Sequence, residues 1–202
     1  MAVSLKKGQR ISLEKDDGNQ LTQLCLGVNW GAIEKKGFFG GKKKEAVDLD
    51  ASCITYDANR QLLNVVYFGE LQAQGIQHSG DDLTGDMDGD DGLDNEIIMV
   101  DLGLVNPAVE QIVFVLNSFA GQDFKDIPFA SIRIYEGTPT KVNTVHAKFD
   151  ISNDQKFNGS VSMVMGKLYK KDNKWKFTAI GEPTQDRKLE GTIQTVQMQY
   201  LK

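Results

Sequence analysis

Along most of this chain apolar and polar side chains alternate with a period of two, the mark of half-buried strands. Strand character falls on Arg10–Leu13, Leu21–Asn29, Leu49–Tyr56, Leu62–Phe68 and Glu96–Leu102. It returns on Gln111–Asn117, Ala130–Tyr135, Thr144–Ile151, Ser160–Tyr169 and Trp175–Ile180. Most of these segments are rich in Val, Ile, Phe, Tyr and Thr, which suit a pleated surface. Two runs, Leu24-Cys25-Leu26-Gly27-Val28 and Ile112-Val113-Phe114-Val115-Leu116, are apolar without a break, as expected of central strands covered on both faces. Polar breaks such as Asp57-Ala58-Asn59, Glu136-Gly137-Thr138-Pro139 and Lys171-Asp172-Asn173-Lys174 separate the segments. About ten short strands with no helical crossovers predict an all-β fold, a β-sandwich. A C-terminal helix within residues 185–202 closes the chain, where Leu189, Ile193, Val196 and Tyr200 recur at helical spacing. Asp186 is placed to cap it, and Gly191 weakens it by ~1 kcal/mol relative to Ala.

Charge changes the picture more than length does. The 202 residues fit one domain, and 40% hydrophobic content supplies an ordinary core. The formal net charge is −5, yet the stretch His78–Glu96 alone contributes −8 and leaves +3 elsewhere. The negative charge is therefore gathered in one loop. A chain so charged lacks the basic face of a phosphate-backbone binder, so nucleic acid is excluded as the main partner. The N-terminus has no apolar stretch of the kind a secretory signal needs, and no run approaches the ~18 apolar residues of a membrane helix. A cytoplasmic location follows as the expectation. Cys25 and Cys53 stand alone within apolar segments and are expected to be buried core thiols, not a disulfide framework.

The loop itself carries the candidate chemistry. From Gly80 to Glu96 it places Asp81, Asp82, Asp86, Asp88, Asp90, Asp91, Asp94 and Glu96 among four glycines, Gly80, Gly85, Gly89 and Gly92, with no Lys or Arg. Calcium takes about six to eight oxygens, and glycine lets a short loop wrap around an ion. Asp86, Asp88 and Asp90 repeat the Asp-x-Asp-x-Asp opening of many calcium loops, but this is no EF-hand. Asp91 stands where that loop needs glycine, Ile97 where it needs the bidentate Glu, and strands flank it instead of helices. A plain solvated loop would suit neither the electrostatics nor Leu83, Thr84-Gly85 and Leu93. Two carboxylates ~4 Å apart repel by roughly 4 kcal/mol at an effective dielectric of 20. A second acidic piece, Asp48-Leu49-Asp50-Ala51, projects two carboxylates on one face at the entry to a strand. About two calcium ions are expected, in preference to magnesium.

Other chemistries are poorly represented. His78 and His146 are isolated from each other and from the cysteines, so no zinc spacing exists, and His78 reads as a surface residue bordering the loop, with a place behind the metal ligands as the alternative. No nucleophile elbow, phosphate loop or dinucleotide fingerprint is present. Redox chemistry would need paired accessible thiols, and hydrolysis would need one carboxylate singled out as acid or base. Lys35-Lys36-Gly37-Phe38-Phe39-Gly40-Gly41-Lys42-Lys43-Lys44 reads as a basic surface loop, with docking to an acidic partner or lipid as the functional alternative.

A resemblance now enters on particular residues. The opening Met1-Ala2-Val3-Ser4-Leu5-Lys6-Lys7-Gly8-Gln9, then Leu26-Gly27-Val28-Asn29-Trp30 and Val47-Asp48-Leu49-Asp50-Ala51-Ser52, carry its first part. His78-Ser79-Gly80-Asp81-Asp82-Leu83-Thr84-Gly85, Gly89-Asp90-Asp91, Ile112-Val113-Phe114-Val115 and Gly166-Lys167-Leu168-Tyr169 with Trp175-Lys176-Phe177 carry the rest. In this order they resemble the bacterial TerD family of tellurium-resistance and stress proteins. The resemblance implies a single calcium-binding β-sandwich domain over residues 1–202, with no catalytic role. It implies metal ligands drawn from Asp48, Asp50, Asp81, Asp82, Asp86, Asp88, Asp90, Asp91, Asp94 and Glu96. It also implies partner Ter proteins, one of them membrane-embedded, through which alone the chain would meet a membrane. The family usually reads Gly-Asp-Asn where this chain has Gly80-Asp81-Asp82, and Gly92-Leu93-Asp94-Asn95 looks like an insertion.

Overall fold

The structure, a computed structural model, describes residues 3–4, 10–13, 21–36, 41–152 and 154–201. In chain order the strands are β1 (Val3–Ser4), β2 (Arg10–Ser12), β3 (Gln23–Trp30), β4 (Ile33–Lys36), β5 (Lys42–Glu45), β6 (Leu49–Tyr56), β7 (Leu62–Val66) and β8 (Gln72–Ala73). They continue with β9 (Ile76–His78), β10 (Glu96–Asp101), β11 (Gln111–Ser118), β12 (Ala130–Thr138), β13 (Lys141–Asp150), β14 (Ser162–Lys171) and β15 (Lys174–Pro183). Helix α1 spans Leu189–Gln199. A seven-stranded sheet runs β1-β13-β12-β3-β10-β9-β8 and a six-stranded sheet runs β2-β15-β14-β11-β6-β7. The expected sandwich is what forms, and each of the ten expected segments is a strand.

Alternation along each strand builds the layers. Leu24, Leu26, Val28 and Trp30 of β3 pack in one core with Leu49, Ala51 and Cys53 of β6 and Ile112, Phe114 and Leu116 of β11. Val113 and Val115, the intervening residues of β11, face the other way, into a second cluster with Ile54, Tyr56, Val164 and Val196. Leu189 and Ile193 of α1, with Tyr200 just past its end, flank that cluster. The helix thus covers the outer face of the six-stranded sheet, which is why the run Ile112–Leu116 is apolar throughout.

Several expectations need correction. Asp186 does not cap α1: Lys188 holds the cap position with no side-chain hydrogen bond, and Asp186 Oδ1 accepts from Thr195 Oγ1 at 3.1 Å. Gly191 has a reason as well, because a Cβ there would lie 3.2 Å from Asp186 Oδ1. The flanks of the basic loop are a hairpin, β4 against β5, rather than irregular chain. The Phe38-Phe39 expectation lies outside the described residues. A small hairpin, β8 with β9, also intervenes before the acidic loop; its strands are too short to leave a period in the sequence.

Candidate metal centre

The acidic loop joins β9 to β10, two neighbours in the seven-stranded sheet. Asp48 and Asp50 come from the opposite layer, at the start of β6. Folding brings the two pieces together. Single oxygens of Asp48, Asp50 and Asp81 lie within 4.8 Å of one another, and so do those of Asp86, Asp90 and Asp91. Oxygens around one calcium ion, at about 2.3–2.6 Å from it, stand at most ~5 Å apart. Both groups therefore have the spacing that one ion each would require.

The first group is the more demanding electrostatically. Asp50 is buried, Asp48 is half-buried, and Asp48 Oδ1 is enclosed without a hydrogen-bond partner among the described residues. Burial, then the neighbouring charges of Asp81, Glu96 and Asp82, push the Asp48 carboxyl up to about 6. Burial, then Asp48, Glu96 and Asp81, push Asp50 up to about 7, against a small opposing pull from His78. Enclosed carboxylates that raise one another's pKa are short of positive charge. A hard cation would supply it, and an all-oxygen donor set suits calcium or magnesium rather than zinc.

Glu96 and His78 frame this group. Fully buried Glu96 accepts from the Ala51 amide at 2.7 Å and the Asp82 amide at 3.3 Å, so it ties β10 to β6 and to the loop. His78 was expected at the surface, yet it is buried; its Nε2 lies 3.0 Å from Ala51 O and 3.4 Å from Glu96 Oε2. Its Nδ1 accepts from the Gly80 amide at 3.1 Å, so the neutral form of the ring carries its proton on Nε2. Burial disfavours charge on this ring, but the adjacent Glu96 carboxylate outweighs it and raises the pKa. The sequence hid this because His78 sits beside eight acids; its place as the inward residue of β9 was the only clue.

The second group hangs on β3. Asp86 and Trp30 exchange backbone contacts, with the Asp86 amide donating to Trp30 O and the Ala32 amide to Asp86 O. Asn29 Nδ2 donates to Asp90 Oδ1 at 2.9 Å. Asn95 Oδ1 accepts from the Trp30 amide at 2.8 Å, while its Nδ2 reaches Asp82 Oδ2 and Asp86 Oδ1, each at 3.2 Å. Gly85 has φ +63°, and a Cβ there would come within 2.5 Å of the Trp30 indole. Asn29, Trp30 and Asn95 are thus the supports that sequence reasoning missed. Leu83 and Leu93 are exposed and add nothing to a core.

The remaining acids divide by partner. Burial works to raise Asp82, but hydrogen bonds from the Thr84 and Gly85 amides, Asn95 and the Thr84 hydroxyl outweigh it and hold the carboxyl low. A bond from the Gly92 amide, then Asn29, lowers Asp90. Asp88 is fully exposed and pairs with Lys44 at 2.9 Å. Asp94 is enclosed against the sheet, 2.7 Å from Arg133 Nε, in space left by Gly27, where a Cβ would overlap its carboxylate. Neither Asp88 nor Asp94 joins either group of three.

Fold and site together define a β-sandwich in which acids of one loop and of the start of β6 form two cation-sized clusters. Residues 1–195 match the TerD domain, and the chain belongs to that family. It is 33% identical over 192 residues to tellurium resistance protein TerZ of Serratia marcescens, covering 93% of each chain. It is 35% identical over 205 residues to stress response protein SCP2 of Bacillus subtilis, covering 96% of this chain and 98% of that one. Among solved structures, a protein of unknown function superposes with TM-score 0.66 at 19% identity, over 84% of this chain and 93% of that one. A Streptomyces coelicolor homologue of telluride resistance protein TerD gives TM-score 0.64 at 14% identity, over 84% and 94%. Those two support the fold alone. The family is one of tellurium-resistance and stress-response proteins, and none of these names denotes a reaction. No helix among the described residues is long and apolar enough to cross a membrane.

Proposed function

We propose that this chain is a non-catalytic calcium-binding module of a bacterial stress and tellurite-resistance system, working in the cytoplasm by calcium-dependent assembly with other Ter proteins. One of those partners would be membrane-embedded. The observation that carries the reading is the trio Asp48, Asp50 and Asp81, contributed by both layers, with one enclosed oxygen left without a partner. Asp48, Asp50 and Asp81 would hold one ion and Asp86, Asp90 and Asp91 a second. Asp82, Glu96, Asn29 and Asn95 keep these carboxylates in place, whereas Asp88 and Asp94 answer to Lys44 and Arg133. Calcium would supply charge neutralisation and a rigid loop surface; the protein's residues supply position.

The test is a calorimetric titration with calcium, repeated in millimolar magnesium. About two ions should bind, one being lost in Asp48→Asn/Asp50→Asn and the other in Asp90→Asn/Asp91→Asn, while Lys43→Ala changes neither. Co-precipitation with the other Ter proteins should be lost in chelator. Absence of calcium heat would overturn the reading; equal co-precipitation in calcium and chelator would overturn its assembly part.

A further inference from the structure

A cavity of about 440 Å³ opens where the ends of β6 and β11 meet the N-terminus of α1. Its floor is the cross-strand pair Asp50 and Asn117. Asp50 is therefore shared: it belongs to the first acidic group and also faces this space. Asn117 is 95% buried; its Nδ2 donates to Thr192 Oγ1 at 3.0 Å, and its Oδ1 has no partner among the described residues.

The wall is aromatic and the rim is cationic. Phe68 and Phe119 meet edge to face at 5.8 Å, and Tyr67 joins Phe68 at 5.2 Å. Phe119 directly follows a buried strand yet is 66% exposed, so its ring offers a face to the cavity mouth that no core residue covers. Arg187 and Lys188 stand exposed at the rim, and neither side chain makes a hydrogen bond or ion pair to a described residue. Lys188 also occupies the cap position of α1 without a side-chain cap bond, and the first helical residues Leu189 and Glu190 line the cavity, which sets the positive end of the helix beside it.

We infer that this cavity binds a small planar aromatic anion, a ring bearing a phosphate or a carboxylate, and does so when calcium occupies the adjacent Asp48–Asp50–Asp81 group. The volume is that of an ordinary small-molecule site. The ring stacks on Phe119 and Phe68, and the anionic group meets Arg187, Lys188 and the helix end. Without calcium, the acids of the Asp48–Asp50–Asp81 group and the rim residue Glu190 oppose the two cations. Calcium in that group would add two positive charges beside the cavity and make it more positive. The inference rests on the calcium reading, and its experiment separates the two.

Calcium uptake is measured first by calorimetry on the full chain, and the same preparation is then titrated with AMP, benzoate, adenosine and inorganic phosphate, in calcium and in chelator. AMP or benzoate should bind in calcium and at least tenfold more weakly in chelator, with adenosine and phosphate both weaker than AMP. Binding of AMP alone assigns a phosphate and binding of benzoate alone a carboxylate. Arg187→Ala/Lys188→Ala, and separately Phe119→Ala, should each lower that affinity at least tenfold and leave calcium uptake unchanged. Calcium uptake with no binding of either probe would overturn the inference and spare the calcium reading. Equal binding in calcium and chelator would overturn it as well. No calcium uptake would sink both, and the first titration identifies that case.

Discussion

Asp48 and Asp50 are two residues whose ordinary chemistry the fold has made difficult. Their folded-state pKa values, about 6 and about 7, lie above the usual 3.8. In the calcium-free protein the folded state therefore holds protons that the unfolded chain has released, and stability falls as pH rises from about 4 to about 7. His78, also raised, acts in the same direction as pH passes its folded value. Asp82 and Asp90 are lowered, so their contribution is lost only on acidification below about 4 and leaves this window alone. Melts in chelator should thus give a higher Tm at pH 5.5 than at pH 7.5, and Asp50→Asn should flatten that slope. Asp50→Asn should also raise the chelator Tm at pH 7.5 while lowering calcium affinity at least tenfold. A variant that is less stable in chelator would show that Asp50 is a structural anchor instead.

At the scale of elements, the sequence spoke clearly about strands and incompletely about the site. Val113 and Val115 announced a doubly covered strand because burial on both faces leaves no polar position between Ile112 and Leu116 of β11. The grouping of Asp48 and Asp50 was legible too, since alternate residues of a strand share a face. What could not be read was which acid meets which partner. Asp94 and Arg133 lie far apart in the chain and meet only because β3 stands between β10 and β12, with Gly27 making room. Likewise Asn29 and Asn95 look like ordinary polar breaks until pairing sets them beneath the loop. Removing one member of an enclosed ion pair strands the other, at about 3 kcal/mol or more. Arg133→Met should accordingly lower stability by about that amount, and Asp94→Asn by less, with calcium stoichiometry the same in both. Urea unfolding and calcium titration of the two variants check this; loss of an ion in Asp94→Asn would make Asp94 a ligand.

Over the whole molecule, the first acidic group joins the six-stranded sheet at β6 to the seven-stranded sheet through Asp81. An ion there would fasten layer to layer where Glu96, bonded to the Ala51 amide, already does so. Chelation should consequently destabilise the whole sandwich, not merely loosen a loop. Calcium at one hundred times its Kd adds ~2.7 kcal/mol. For a domain of this size that is roughly 5–10 °C in Tm, taking about 2–4 °C per kcal/mol. High salt should narrow the difference, because screening relieves repulsion in the calcium-free state. Thermal melts in calcium and chelator at two salt concentrations measure it, and coincident low-salt melts would reduce the cluster to surface decoration.

The Glu96 link has a kinetic side. It bridges a sequence separation of 45 residues to Ala51, and the bonds from Asn29 to Asp90 and from Asn95 to Trp30 bridge 61 and 65. Distant segments must find one another before the binding geometry exists, so the ion has no foothold on a partly collapsed chain. Bound calcium would then stabilise the native state without stabilising the folding barrier, and its effect would appear in how long the native state persists. Stopped-flow measurements should find the refolding rate the same in calcium and chelator and the unfolding rate slowed by about a hundredfold at saturating calcium, the whole ~2.7 kcal/mol falling on that limb. Such a protein, once assembled and loaded, would hold its shape through transient stress for times set by ion release rather than by equilibrium stability.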